Sequence, residues 1–100
     1  MRNIINYIEE AKKNEKVFRL ILDKFGIENK NLGIEEIYVK YSQGNRMGIW
    51  TILGFGERKP NVYVFAWEDV APLSGHGSVD LYTFDNDAIK TIENVEHWWA

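Results

Sequence analysis

The stretch Val62-Tyr63-Val64-Phe65-Ala66-Trp67 decides the fold class, because small aliphatic side chains alternate with aromatic ones in it. Such a period of two is typical of a β-strand, and we predict a strand over residues 62–70. A short turn at residues 57–61, centred on Pro60, precedes it. A turn this short joins antiparallel neighbours, because parallel strands need a much longer crossover. The stretch therefore belongs to an antiparallel sheet.

Three further segments complete the predicted sheet. Residues 37–41 and residues 47–55 alternate in the same way, and the glycine- and asparagine-containing residues 43–46 form a turn between them. Residues 79–84 supply the last strand, after an irregular stretch. The prediction is a four-stranded antiparallel meander.

The first quarter of the chain has helical spacing instead. Apolar residues recur every three to four positions over residues 3–25, which predicts one helix or two helices joined near Asn14. The Asn14 side chain can cap the second helix. Gly26 is suited to the left-handed residue that follows a helix.

A helix is also predicted at the other end of the sequence. Asp85, Asn86 or Asp87 can cap it, and its apolar stripe is formed by Ala88, Ile92, Val95 and Trp99. The fold class is α+β: an N-terminal helix or helix pair, a four-stranded antiparallel meander and a C-terminal helix.

Length and composition bound the function. The 100 residues suit a single domain over residues 1–100, and a hydrophobic content of 45% is enough to build its core. The chain has no cysteine, which favours a reducing compartment such as the cytoplasm. We recognise neither a signal peptide nor an apolar run long enough to span a bilayer, so we expect no membrane partner.

The charge is unevenly distributed. Residues 1–56 contain nine Lys/Arg and seven Asp/Glu, whereas residues 57–100 contain three and eight. The acidic second half would repel phosphate backbones, so we expect no nucleic-acid partner. It would attract a basic protein surface, although solubility alone also explains a net charge of −3.

The segment Ser74-Gly75-His76-Gly77-Ser78 is the best candidate for chemistry, because a histidine titrates near neutrality and Glu68, Asp69 and Asp80 are close in sequence. A metal site needs three or four converging ligands, and this spacing matches no metal motif. A nucleophile elbow needs a serine between the glycines. The simpler interpretation is a flexible turn, and we predict no catalytic residue, no metal, no cofactor and no enzyme activity.

Large rings occupy the predicted sheet and the C-terminus. If the helices cover only one sheet face, the other keeps an aromatic patch edged by acids, and such a patch usually binds a partner. If they cover both faces, the rings are core instead. Trp98 is displaced from the predicted helical stripe and is a second candidate anchor. The predicted partner-binding residues are Trp67, Glu68, Asp69, His76, Asp80 and Trp98.

Three classes of function fit these features. The first is a non-enzymatic inhibitor that blocks a basic active cleft of another protein, the second a secretion chaperone or adaptor that dimerises, and the third a small-molecule-binding domain. In size, acidity, aromatic content and lack of cysteine, the chain resembles small bacterial immunity proteins that neutralise toxins. This resemblance implies the first class, and it assigns a role to no individual residue.

Overall fold

The computed structural model describes residues 7–42, 50–70 and 75–99, and these residues form three helices followed by four strands. The elements are α1 (Ile8–Lys13), α2 (Glu15–Lys24), α3 (Ile34–Ser42), β1 (Trp50–Lys59), β2 (Val62–Val70), β3 (Gly75–Asp85) and β4 (Ala88–Trp99). The strands form one antiparallel sheet in the order β1-β2-β3-β4. The predicted α+β class and the antiparallel meander are confirmed. The predicted turn at residues 43–46 and the start of the next strand lie outside the described residues.

The N-terminal region contains two helices that meet at Asn14. The Asn14 backbone leaves the helical region, with φ −126° and ψ 47°. Asn14 holds the N-cap position of α2, but its side chain makes no capping hydrogen bond; the amide instead donates back to the Glu10 carbonyl at 3.3 Å. Gly26 follows α2 with φ +74°, in the left-handed conformation predicted for it.

The predicted strand at residues 37–41 is wrong, because this segment lies in α3. Ile34 and Ile37 are buried on one side of the helix, whereas Val39 is 58% exposed. The Gly33 backbone N–H donates to the Glu36 carboxylate at 2.7 Å. This bond is half of a capping box and stabilises the start of the helix. The helix therefore forms although the residue types of this short segment alternate as they would in a strand.

The predicted C-terminal helix is also wrong, because residues 88–99 form β4. Asn86 and Asp87 both have positive φ, at 53° and 64°, and Asp85 pairs with Ala88. Two consecutive left-handed residues make a tight hairpin turn whose twist matches that of the flanking strands. The residues expected to cap a helix therefore reverse the chain and return it along β3.

The sheet has two faces, because successive side chains of a strand point to opposite sides. The inner face carries Tyr63, Phe65 and Trp67 of β2 and packs against the helices, and the outer face carries the alternate residues. The ring centroids of Phe18 and Phe55 are 5.0 Å apart, and that of Phe25 lies 5.5 Å from that of Phe65. Among the strands, the helices contact mainly β1. The core thus lies beneath β1, β2 and part of β3, and β4 extends beyond it.

Candidate functional site

The six residues predicted to bind a partner lie on both faces of the sheet. The pairing of β2 with β3 and of β3 with β4 assigns each to a face. Those on the inner face are Trp67, Asp69, His76 and Asp80. Those on the outer face are Glu68 and Trp98. The structure therefore does not bring the six together into one site.

Four rings form a cluster at the inner face, near the end of β4. His76 lies at its centre, with ring centroids 5.3 Å from Trp67, 5.9 Å from His97 and 5.3 Å from Trp99. The two imidazole planes are nearly parallel, with an interplanar angle of 5°. Trp99 is 74% exposed, so it is not the core residue that a helical stripe predicts.

Among the described residues, this cluster is joined neither by a metal-binding group nor by a carboxylate hydrogen-bonded to an imidazole. Within residues 7–42, 50–70 and 75–99, no group of three or more histidine and acidic side chains is placed to hold a metal ion. Asp69 is the cross-strand neighbour of His76, but among the described residues no carboxylate accepts a hydrogen bond from either imidazole. The arrangement is a surface of flat rings, suited to stacking and contact.

Asp80 belongs to a separate polar network beside the core. The residue is 9% exposed, and its carboxylate accepts hydrogen bonds from the Ser78 hydroxyl and the Asn94 amide, both at 2.8 Å. Asn94 also donates to the Ser78 oxygen at 2.7 Å. His97 is the direct cross-strand partner of Ser78, but no hydrogen bond joins its imidazole to the Ser78 hydroxyl within the described residues. Burial, and to a lesser extent the Asp80 charge, raises the pKa of Tyr82 far above its ordinary value.

On the outer face, Trp98 packs over the backbone of Gly77. The indole N–H donates to a Glu68 carboxylate oxygen at 3.3 Å. A Cβ on Gly77 would overlap the six-membered ring of Trp98, so only glycine leaves room for it. The ring is thereby held against the sheet, partly exposed, beside a carboxylate.

The remainder of β4 is exposed on both faces. Of its twelve residues, all but Ile89 and Trp98 are exposed. Glu93 and Glu96 follow one another on the outer face, across from Leu81 and Val79 of β3. Sequence reasoning missed these two acids because it placed them on a helix. A signal for the hairpin was present in Asn86-Asp87, since both residue types tolerate positive φ.

Two shallow hollows lie on the helical side of the described part of the molecule. One, of about 350 Å³, lies beside α1, α2 and the start of α3. Four of its five charged side chains pair with each other, Lys12 with Glu35 at 3.1 Å and Arg19 with Glu15 at 2.8 Å. The other, of about 420 Å³, lies over Leu32 and is wide open to solvent. Neither has the enclosed apolar lining of a small-molecule pocket.

Comparison with known proteins identifies no relative. No family model matches the chain, and no curated protein or solved structure is significantly similar to it. None of the three described helices has the length and apolar character required to cross a membrane.

Proposed function

We propose that this protein is a non-enzymatic binding domain that occupies a basic cleft of another protein, as an inhibitor of the immunity type does. One observation carries the proposal: Glu93, Glu96 and Trp98 follow one another along the outer face of the exposed strand β4, with Glu68 beside Trp98. In the described part of the chain, no lysine or arginine forms an ion pair with Glu93 or Glu96. The proposal places the protein in the cytoplasm, in keeping with the absence of cysteine.

Each component of this surface has a physical role in binding a basic partner. Exposed carboxylates of one sign accelerate encounter with an oppositely charged surface and fix its orientation. An anchored tryptophan supplies a large contact area at little cost in side-chain entropy, because its position is already fixed. The partly buried Val79 and Leu81 lie beside the acids on the same face. They would lose water contact when a partner docks.

The experiment compares two double variants with equal changes in net charge. Glu93→Lys/Glu96→Lys reverses the proposed surface, and the control Glu9→Lys/Glu28→Lys reverses exposed acids near or on the helices. The wild type is immobilised and a bound protein is recovered from host extract, identified, purified and titrated against all three forms. We expect a basic protein whose affinity falls at least tenfold for the surface variant and less than twofold for the control.

Salt dependence completes this test. Affinity for the purified partner should fall as ionic strength rises, and the fall should be shallower for the surface variant because its attractive charges are gone. Equal affinity of the surface variant and the wild type would refute the proposal. A partner with an acidic binding surface would refute it as well.

A further inference from the structure

β4 is an edge strand of the sheet that the described residues form. At the opposite edge, α1 and α3 pack against β1. β4 pairs with β3 on one side, and no described strand pairs with its other side. Its twelve residues extend for about 40 Å at roughly 3.3 Å per residue. An uncovered edge presents free backbone N–H and C=O groups that can pair with another extended chain.

The two faces of β4 differ in chemistry. On the inner face, Ile89, Ile92 and Trp99 pair with residues of β3 that face the core or the ring cluster. Ile92 is 42% exposed although it pairs with the buried Tyr82. The outer face carries the carboxylates of Glu93 and Glu96. Because directly opposite side chains of paired strands touch, each face of β4 specifies what an added strand should carry there.

We infer that β4 binds an extended segment of the partner protein as a fifth strand, and that basic and apolar residues alternate in that segment. Its apolar side chains lie on the inner face beside Ile92 and Trp99, and its lysines or arginines lie on the outer face beside Glu93 and Glu96. This inference rests on the proposed function and specifies how the basic partner is held. Backbone pairing supplies affinity in this mode, and the alternating side chains supply specificity.

The charge of β4 favours a basic segment of a partner, rather than a second copy of this chain, as the fifth strand. The only cation of β4 is Lys90, against two carboxylates, and a second copy would bring the same carboxylates to the shared edge. The register of β4 against β3 also shifts at Lys90 and Val95, each of which has no direct partner on β3. A second copy of β4 would bring the same two bulges to the shared edge, so both strands would be irregular. A regular basic strand has to accommodate only the bulge at Val95 to reach both Glu93 and Glu96.

The experiment uses the full chain and a capped synthetic ten-residue peptide that alternates lysine with valine or isoleucine. Nuclear magnetic resonance should show cross-strand contacts between the peptide and β4, with slowed hydrogen exchange of β4 amides. Two further peptides are N-methylated on alternate backbone amides: one at the odd-numbered positions and the other at the even-numbered positions. Successive amides of a strand point in opposite directions, so one set should weaken binding at least tenfold and the other less than twofold. Equal effects of both sets would overturn strand addition.

A charge exchange tests the side-chain pattern. A peptide with glutamate in place of every lysine should fail to bind the wild type and should bind Glu93→Lys/Glu96→Lys. Failure of the basic peptide to bind, binding away from β4, or a stable dimer joined through β4 in sedimentation would overturn the inference. The proposed function is judged separately. A recovered partner whose affinity depends on Glu93 and Glu96, but which does not slow hydrogen exchange of the β4 amides, would bind the outer face without adding a strand. That result would support the proposed function and overturn this inference.

Discussion

Trp98 of β4 lies over Gly77 of β3, its direct cross-strand partner, and the indole ring fills the space that any side chain at residue 77 would need. A Cβ on Gly77 would also lie 2.8 Å from the Trp67 backbone carbonyl oxygen. The ring thus covers a glycine that would otherwise leave part of the strand without side-chain contacts. This contact ties the far end of β4 to the sheet.

Gly77→Ala should therefore destabilise the protein. The new methyl group meets both the Trp98 ring and a backbone oxygen, and overpacking of this kind costs about 1–3 kcal/mol. Each kcal/mol lowers the melting temperature of a domain this size by roughly 4–8 °C, which calorimetry resolves. Gly54→Ala is the matched control, because a Cβ there meets nothing within 4 Å. Equal melting temperatures for the two variants would contradict the expected overlap.

The elements that the sequence predicted correctly are those with one buried face. β2 alternates buried Tyr63 and Phe65 with less buried neighbours, so its period of two is visible in the residue types. β4 is exposed on both faces, and burial imposes no alternation on it. Its apolar residues at 88, 92, 95 and 99 happened to match helical spacing. Only the backbone conformation of Asn86 and Asp87 distinguishes the hairpin from a helix cap, and both residue types suit either role.

The candidate surface was predictable in part. Trp67, Glu68 and Asp69 are consecutive in a strand that was predicted correctly, so their separation onto two faces already followed from strand geometry. Glu93 and Glu96 could not be placed beside Trp98 while the segment was assigned to a helix. The same exposure that makes β4 available for binding removed the pattern by which a buried strand is recognised.

The hydrogen-bond network around Asp80 predicts a second stability effect. Asn94→Ala removes the amide that donates to both Asp80 and Ser78. The largely buried Asp80 carboxylate then keeps only the Ser78 hydroxyl as a described side-chain donor. Loss of such partners from a buried charged group costs about 1–3 kcal/mol. Chemical denaturation should show this loss for Asn94→Ala. The control is Glu93→Ala, because the adjacent Glu93 side chain points outward. The free energy of unfolding of this variant should stay within about 0.5 kcal/mol of that of the wild type. A similar small effect for both would mean that the network adds nothing.

A third effect on stability is expected at Arg19, although the charged residues around it in sequence are typical of an ordinary solvated helix face. Its guanidinium donates to the backbone carbonyls of Asn29 and Leu32, and so ties α2 to the loop before α3. Arg19→Lys should cost about 1–2 kcal/mol, because one ammonium cannot reproduce this fork. The control is Lys16→Met, which removes an exposed ion pair to Asp87 and should cost less than about 1 kcal/mol. Equal losses in urea denaturation would contradict the structural role of Arg19.

Buried tyrosines predict how stability depends on alkaline pH. Burial raises the pKa values of Tyr7 and Tyr82 far above the ordinary value of about 10. Above pH 10 the unfolded chain therefore loses these phenolic protons while the folded chain keeps them. Because the unfolded state then binds fewer protons, the free energy of unfolding should fall by about 1.4 kcal/mol per pH unit for each such tyrosine. Below pH 10 neither residue should contribute to the pH dependence.

Tyr82→Phe isolates one of these contributions, because the Tyr82 hydroxyl makes no hydrogen bond within the described chain, whereas the Tyr7 hydroxyl bonds to Ser42. Urea denaturation at pH 7 and between pH 10 and 11.5 measures how the free energy of unfolding changes with pH. The fall at alkaline pH should be shallower for the variant than for the wild type by about 1.4 kcal/mol per pH unit, which corresponds to one proton. Absorbance at 295 nm should show that Tyr82 ionises only as the wild type unfolds. Because phenylalanine cannot ionise in either state, a slope unchanged by the substitution would mean that Tyr82 titrates normally in the fold, contrary to its burial between Phe65 and the Asp80 network.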